Sequence, residues 1–123
     1  MAAELLKPVD EKGPDLGALL CLQETMPEWE WREASDAAQV VANYLRCHPA
    51  VCDVRYPGLT SDPDYREASV TLRGGFGPWV DLRLKAGFGC LRYDVLALSY
   101  PSIFESVVAL ERYFANEIES ENR

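Results

Sequence analysis

The side chains that could do chemistry are few and scattered. His48 is the only histidine in 123 residues. A hydrolytic triad needs a histidine base beside a nucleophile on a sharp turn. His48 is followed by Pro49, and His-Pro reads instead as the end of a helix. Cys47, His48 and Cys52 lie close in sequence, but their spacing matches no familiar zinc pattern and no fourth ligand is nearby, so no metal is expected. The lysines are Lys7, Lys12 and Lys85. Lys85 ends a charged strand, where nothing would desolvate its amine into a nucleophile. Paired carboxylates such as Asp62 with Asp64, and Glu28 with Glu30, read as solvated charges or helix caps rather than an acid–base couple. Gly74, Gly75 and Gly77 precede a strand, not a helix, and no Lys-Ser/Thr follows, so they read as a turn and not a phosphate cradle. On residue types and spacing alone there is no catalytic, cofactor-binding or metal-binding residue.

The composition sets the frame for these residues. One domain of ordinary globular composition is expected, with 48% hydrophobic and 26% charged residues. The net charge of −8 argues against nucleic acid as a partner. No apolar run has the length of a membrane span, and the first residues lack a secretory pattern, so a cytoplasmic protein is expected. In that compartment Cys21, Cys47, Cys52 and Cys90 would be reduced, and three of them, beside apolar neighbours, read as small buried hydrophobes.

The elements that would position these residues follow from periodicity. Residues 1–13 read as a loose arm, 14–119 as one small domain and 120–123 as a frayed tail. Residues 14–24 suit a short buried helix. Thr25 and Glu28 have capping-box spacing, which predicts a long helix to about Cys47 with Ala34, Ala37, Ala38, Val41 and Leu45 on one face. Residues 51–56 read as a strand. Ser61 or Asp62 is placed to cap a short helix with Pro63 in its first turn, ending near Leu72. In residues 79–85, Val80, Leu82 and Leu84 alternate with Trp79, Asp81, Arg83 and Lys85, the pattern of a half-buried antiparallel strand. Residues 91–99 read as another strand, and Ser102 and Glu105 as a second capping box opening a helix to about Glu119. The expected fold is α+β: a two-layer sandwich with a small, mostly antiparallel sheet of about three strands and helices on one face. So narrow a sheet leaves open edges, which points to a protein partner or a homodimer. Trp29, Trp31 and Trp79 are the candidate partner contacts.

The stretch VANYLRCHPAVCDVRYPGLTSDPDYREASVTLRGGFGPWVDLRLKAG, residues 41–87, adds a further reading. Its order of His48-Pro49, Tyr56-Pro57-Gly58-Leu59, Ser61, Pro63, Ala68, Gly75, Gly77, Leu84-Lys85 and Gly87 resembles the C-terminal domain of the Cys/Met-metabolism enzymes that use pyridoxal phosphate, the cystathionine synthases and lyases and methionine γ-lyase. The resemblance implies that domain's α+β fold. It does not carry the active site with it. The family's Schiff-base lysine, pyridinium-pairing aspartate and ring-stacking tyrosine belong to a large domain that this stretch does not match, so pyridoxal phosphate is expected only where a partner chain supplies the site. The family's histidines after Y-P-G-L are Asp62 and Tyr65 here. Its arginine for the substrate carboxylate is offset from Arg92, and Ser99 aligns with a pocket-lining residue. Ser99 and Arg92 are therefore the candidate remnants of a substrate pocket. The resemblance implies a stand-alone, non-catalytic relative acting as a binding or regulatory module. The alternative is one subunit of a split sulfur-amino-acid lyase or synthase.

Overall fold

The computed structural model describes residues 6–9, 13–85, 89–96 and 103–121. Four helices pack with a four-stranded antiparallel sheet. The strands are β1 (Lys7–Val9), β2 (Val51–Arg55), β3 (Trp79–Leu84) and β4 (Cys90–Asp94), in the order β1-β4-β3-β2. The helices are α1 (Leu16–Thr25), α2 (Glu28–Arg46), α3 (Tyr65–Thr71) and α4 (Ile103–Glu121).

The sheet has one strand more than the sequence suggests. Lys7–Val9, inside the segment read as a loose arm, pairs with β4, with Pro8 opposite Leu91. Leu6 drives this by burying itself in the main core. Pro8 lacks a backbone donor, and an edge strand is where a sheet tolerates that. In β3 Val80 and Leu82 are turned to the core as predicted, while Leu84 is only half-buried. Of the strand expected over 91–99, the pairing runs from Cys90 to Asp94, and residues 97–99 lie outside the described residues. The Asp94 carboxylate accepts from the Leu96 amide at 2.9 Å, and the Val95 amide turns back to the Pro78 carbonyl, so the extended pairing stops there.

The α2 helix carries the core face: Trp31, Ala34, Ser35, Ala38, Val41, Ala42 and Leu45 are buried at three- and four-residue spacing. Its start differs from the predicted capping box. Thr25 still belongs to α1, where its hydroxyl donates to the Leu22 carbonyl, and Pro27 occupies the cap position of α2 with no side-chain bond. The helix ends where His-Pro predicts. The His48 amide bonds back to Leu45, and its Nδ1 accepts from the Ala50 amide at 3.0 Å. The α4 helix docks on this core through Leu110 and Phe114. A second cluster, around Leu19, Trp31, Ala68 and Leu72, joins α1 and α3 to the Trp79 end of the sheet. The helices therefore divide between two clusters rather than sharing a single layer.

Two loops hold this frame together. In the glycine turn, the Gly77 amide donates to Ser35 Oγ at 3.0 Å, and the Tyr56 hydroxyl donates to the Gly77 carbonyl at 2.9 Å. A Cβ on Gly75, whose φ is +142°, would lie 2.2 Å from Ser35 Cβ. Glycine is required here by close approach as well as by backbone angle. The second loop follows β2. The Asp62 carboxylate accepts from the Tyr56 and Asp64 amides and from Arg55 Nε, at 2.9–3.1 Å. Thus Asp62, expected as a helix cap or solvated charge, is a buried loop anchor, and α3 starts only at Tyr65.

Candidate functional site

The outer face of the sheet holds the groups most able to bind something. Strand register puts Arg55, Asp81, Arg92 and Lys7 in one row across all four strands. Asp81 is the exception to the predicted pattern. It was placed on the solvent side with Trp79 and Arg83, yet it is fully buried. Arg92 covers it, donating from Nε to Oδ1 at 2.7 Å and from Nη2 to Oδ2 at 3.0 Å. The same guanidinium lies 4.7 Å from the Trp79 ring centroid, a cation–π distance. Burial pushes the Asp81 carboxyl above the usual carboxylate range, while the Arg92 and Arg55 guanidiniums pull it back. Arg55 pairs with both Asp62 and Asp64.

Beside this row lies an open groove of about 1170 Å³. Its floor and walls include Pro8, Val9, Leu16, Trp79 and Arg92, and its rim carries Asp15, Asp64 and Glu67. The first turn of α1 forms one side, because Asp15 caps that helix by accepting from the Gly17 amide. The first turn of α3, with Glu67, forms another.

The residues singled out from sequence fall in different places. Arg92 and Trp79 meet, at this groove. Trp29 is 68% exposed on the far side of α2's buried stripe. Trp31, two positions on, is 1% exposed and packs in the second cluster, with its Nε1 donating to the Gly75 carbonyl; it is not a surface contact. A two-residue step turns a helix by about 200°, so one indole faces in when the other faces out. Ser99 lies outside the described residues. Of the cysteines only Cys90 is buried, whereas Cys21, Cys47 and Cys52 are exposed; apolar sequence neighbours did not bring Cys21 and Cys52 inside. His48 packs 4.3 Å from the Phe114 ring, with Nε2 3.6 Å from Glu111 Oε1, and the Tyr44 hydroxyl donates to that same oxygen. These contacts tie α2 to α4. Among the described residues no cluster of three or more His, Cys, Asp or Glu could hold a metal ion.

Spacing alone missed Asp81. The usable signal was the hairpin: Asp81 and Arg92 are opposite each other across β3 and β4, and a mid-strand acid facing an arginine is a candidate buried pair.

Pyridoxal phosphate needs a lysine amine held beside a phosphate cradle. Lys7 and Lys85 are both exposed, and neither lines the groove. The described residues do not fit that cofactor. No helix among them is long and apolar enough to cross a membrane.

No family model matches the sequence. The cystathionine gamma-synthases of Mycobacterium bovis, Mycobacterium tuberculosis and Mycobacterium leprae are each 45% identical to this chain over 53 residues, which is 43% of this chain. That stretch spans only 13% of the length of these relatives. A crystal structure of cystathionine gamma-lyase from Lactobacillus plantarum, complexed with L-serine, aligns with a TM-score of 0.43 and 32% sequence identity, over 46% of this chain and 15% of that one. The chain thus has a partial similarity, over those 53 residues, to cystathionine γ-synthases.

Proposed function

We propose that this chain is a binding or regulatory module, built on the small-domain scaffold of transsulfuration-type enzymes, and that it performs no catalysis by itself. One observation carries the reading. The family-like positions are spent on structure: Val41, Ala42, Leu45, Tyr56 and Leu59 are core, and Gly75 and Gly77 lie against α2. Arg92, a candidate remnant of a substrate pocket, is bonded to Asp81 through both Nε and Nη2. This speaks against the split-enzyme alternative, in which Arg92 would help line the pocket.

The test is association. The purified chain is mixed with a full-length cystathionine γ-synthase and followed by size-exclusion chromatography with light scattering. A stoichiometric complex, with no lyase or synthase activity from the chain alone, supports the module. A chain that stays monomeric and unassociated counts against it. Turnover arising only in the mixture, and lost with Arg92→Lys, favours the split enzyme.

A further inference from the structure

We infer that the groove between β1, β3, β4 and the first turns of α1 and α3 is a docking site for a basic, partly apolar segment of a protein partner. The inference rests on the binding-module reading and gives that partner a chemistry.

Charge carries the argument. Among the described residues that line the groove, the carboxylates of Asp15, Asp64 and Glu67 outnumber the one guanidinium, Arg92, and Arg55 bonds Asp64 from beside it. The Arg92 charge is matched by Asp81 beneath it, and Arg55 is shared between two carboxylates. The rim therefore has surplus negative charge, and it belongs to a chain of net charge −8. Such a concave surface concentrates cations and speeds the approach of a basic partner.

The floor adds the second requirement. Pro8, Val9, Leu16 and Trp79 supply apolar and aromatic area between the charges. A segment that places a lysine or arginine near Glu67 can lay aliphatic side chains on Val9 and Leu16. The size also fits a segment better than a metabolite. At about 1170 Å³ the groove exceeds the ~300–1,000 Å³ of typical small-molecule pockets, and it is open along its length.

Two labelled ten-residue peptides test this, one alternating arginine with leucine and one alternating glutamate with leucine. Binding is read by fluorescence anisotropy, and the site by amide and indole shifts in a nitrogen–proton correlation spectrum. The expected result is saturable binding of the arginine peptide alone, with shifts at Val9, Gly17, Glu67 and the Trp79 indole. Glu67→Lys should weaken it about tenfold, because it puts like charges together, and Glu67→Gln should weaken it less. Glu33→Lys, the same charge change on the exposed side of α2, should leave it nearly unchanged. Equal losses from Glu67→Lys and Glu33→Lys would show diffuse attraction and overturn the site. So would shifts centred on Trp29, or free arginine binding as tightly as the peptide. A complex with the synthase that forms undiminished with Glu67→Lys would overturn the groove while leaving the module reading intact.

Discussion

Arg92 closes over Asp81 with two hydrogen bonds of 2.7 and 3.0 Å, joining neighbouring strands where a carboxylate is fully buried in the sheet's outer face. Asp81→Ala would leave Arg92, half-buried over Trp79, without the carboxylate it bonds through two nitrogens. Removing one partner of a buried pair typically costs about 3–5 kcal/mol, so a large drop in the denaturant midpoint is expected. The double variant Asp81→Leu, Arg92→Met should recover most of the loss, since an apolar pair of similar volume often replaces a buried ion pair without penalty. A double variant as unstable as Asp81→Ala would show that the pair does more than satisfy its own burial.

The glycine turn makes a second prediction. Gly75→Ala would force a Cβ to 2.2 Å from Ser35 Cβ and strain a φ of +142°. Destabilisation above the ~1 kcal/mol typical of point mutants is expected, measured by urea unfolding. Gly89, whose φ of +77° opens onto free space, provides the comparison. Alanine there should cost only the backbone strain. Equal costs at both positions would refute the close-packing argument.

The Asp62 anchor is the third. Asp62→Asn keeps one acceptor oxygen, enough for the Tyr56 amide or the Asp64 amide but not both, and removes the charge facing Arg55. Asp62→Ala removes both oxygens and the charge. Alanine should therefore cost more than asparagine, because a buried donor left without an acceptor costs about 1–3 kcal/mol. Thermal unfolding of the two variants orders them, and the reverse order would contradict this account of the loop.

Alkaline stability is the fourth. Burial raises the Tyr44 phenol above its ordinary value, and Glu111 raises it further. Burial raises the Tyr56 phenol in the same direction, with Asp36 adding to it. The unfolded chain loses these protons near pH ~10, while the folded chain holds them longer. The folded state thus binds more protons above pH ~10, and stability falls as pH rises through that range. Tyr56→Phe should flatten the fall, measured as the slope of unfolding free energy against pH. An unchanged slope would remove Tyr56 from the explanation.

Pyridoxal phosphate gives the fifth. Titrating the chain should produce no saturable internal-aldimine band, since Lys7 and Lys85, the lysines among the described residues, are exposed and do not line the groove. A band that borohydride fixes to one lysine, with Lys85 first to be checked by mass spectrometry, would bring catalysis back.

Much of the fold could be read from local pattern. The α2 stripe, the helix stop at His48-Pro49 and the alternation of β3 all follow from periods of 3.6 and 2 and from residues that block continuation. The order of motifs in residues 41–87 likewise resembles the Cys/Met-metabolism family, and 53 residues of the chain are 45% identical to cystathionine γ-synthases. What escaped depends on contacts far apart in the chain. Lys7–Val9 has no strand signal of its own and becomes a strand because Leu6 finds the core and β4 offers an open edge. Thr25 has the right spacing for a cap, but its hydroxyl bonds within α1.

The candidate site shows the same division. Sequence determined that the chain is acidic, that β3 presents alternating faces and that Arg92 and Trp79 are available. Only the tertiary structure decided that Arg92 is held by a buried Asp81, that Trp31 faces inward while Trp29 stays in solvent, and that two helix starts bring Asp15 and Glu67 to one groove. Local propensity depends on neighbours a few residues away. Burial of a charge, or the sign of a surface, is set by partners that only folding brings within reach.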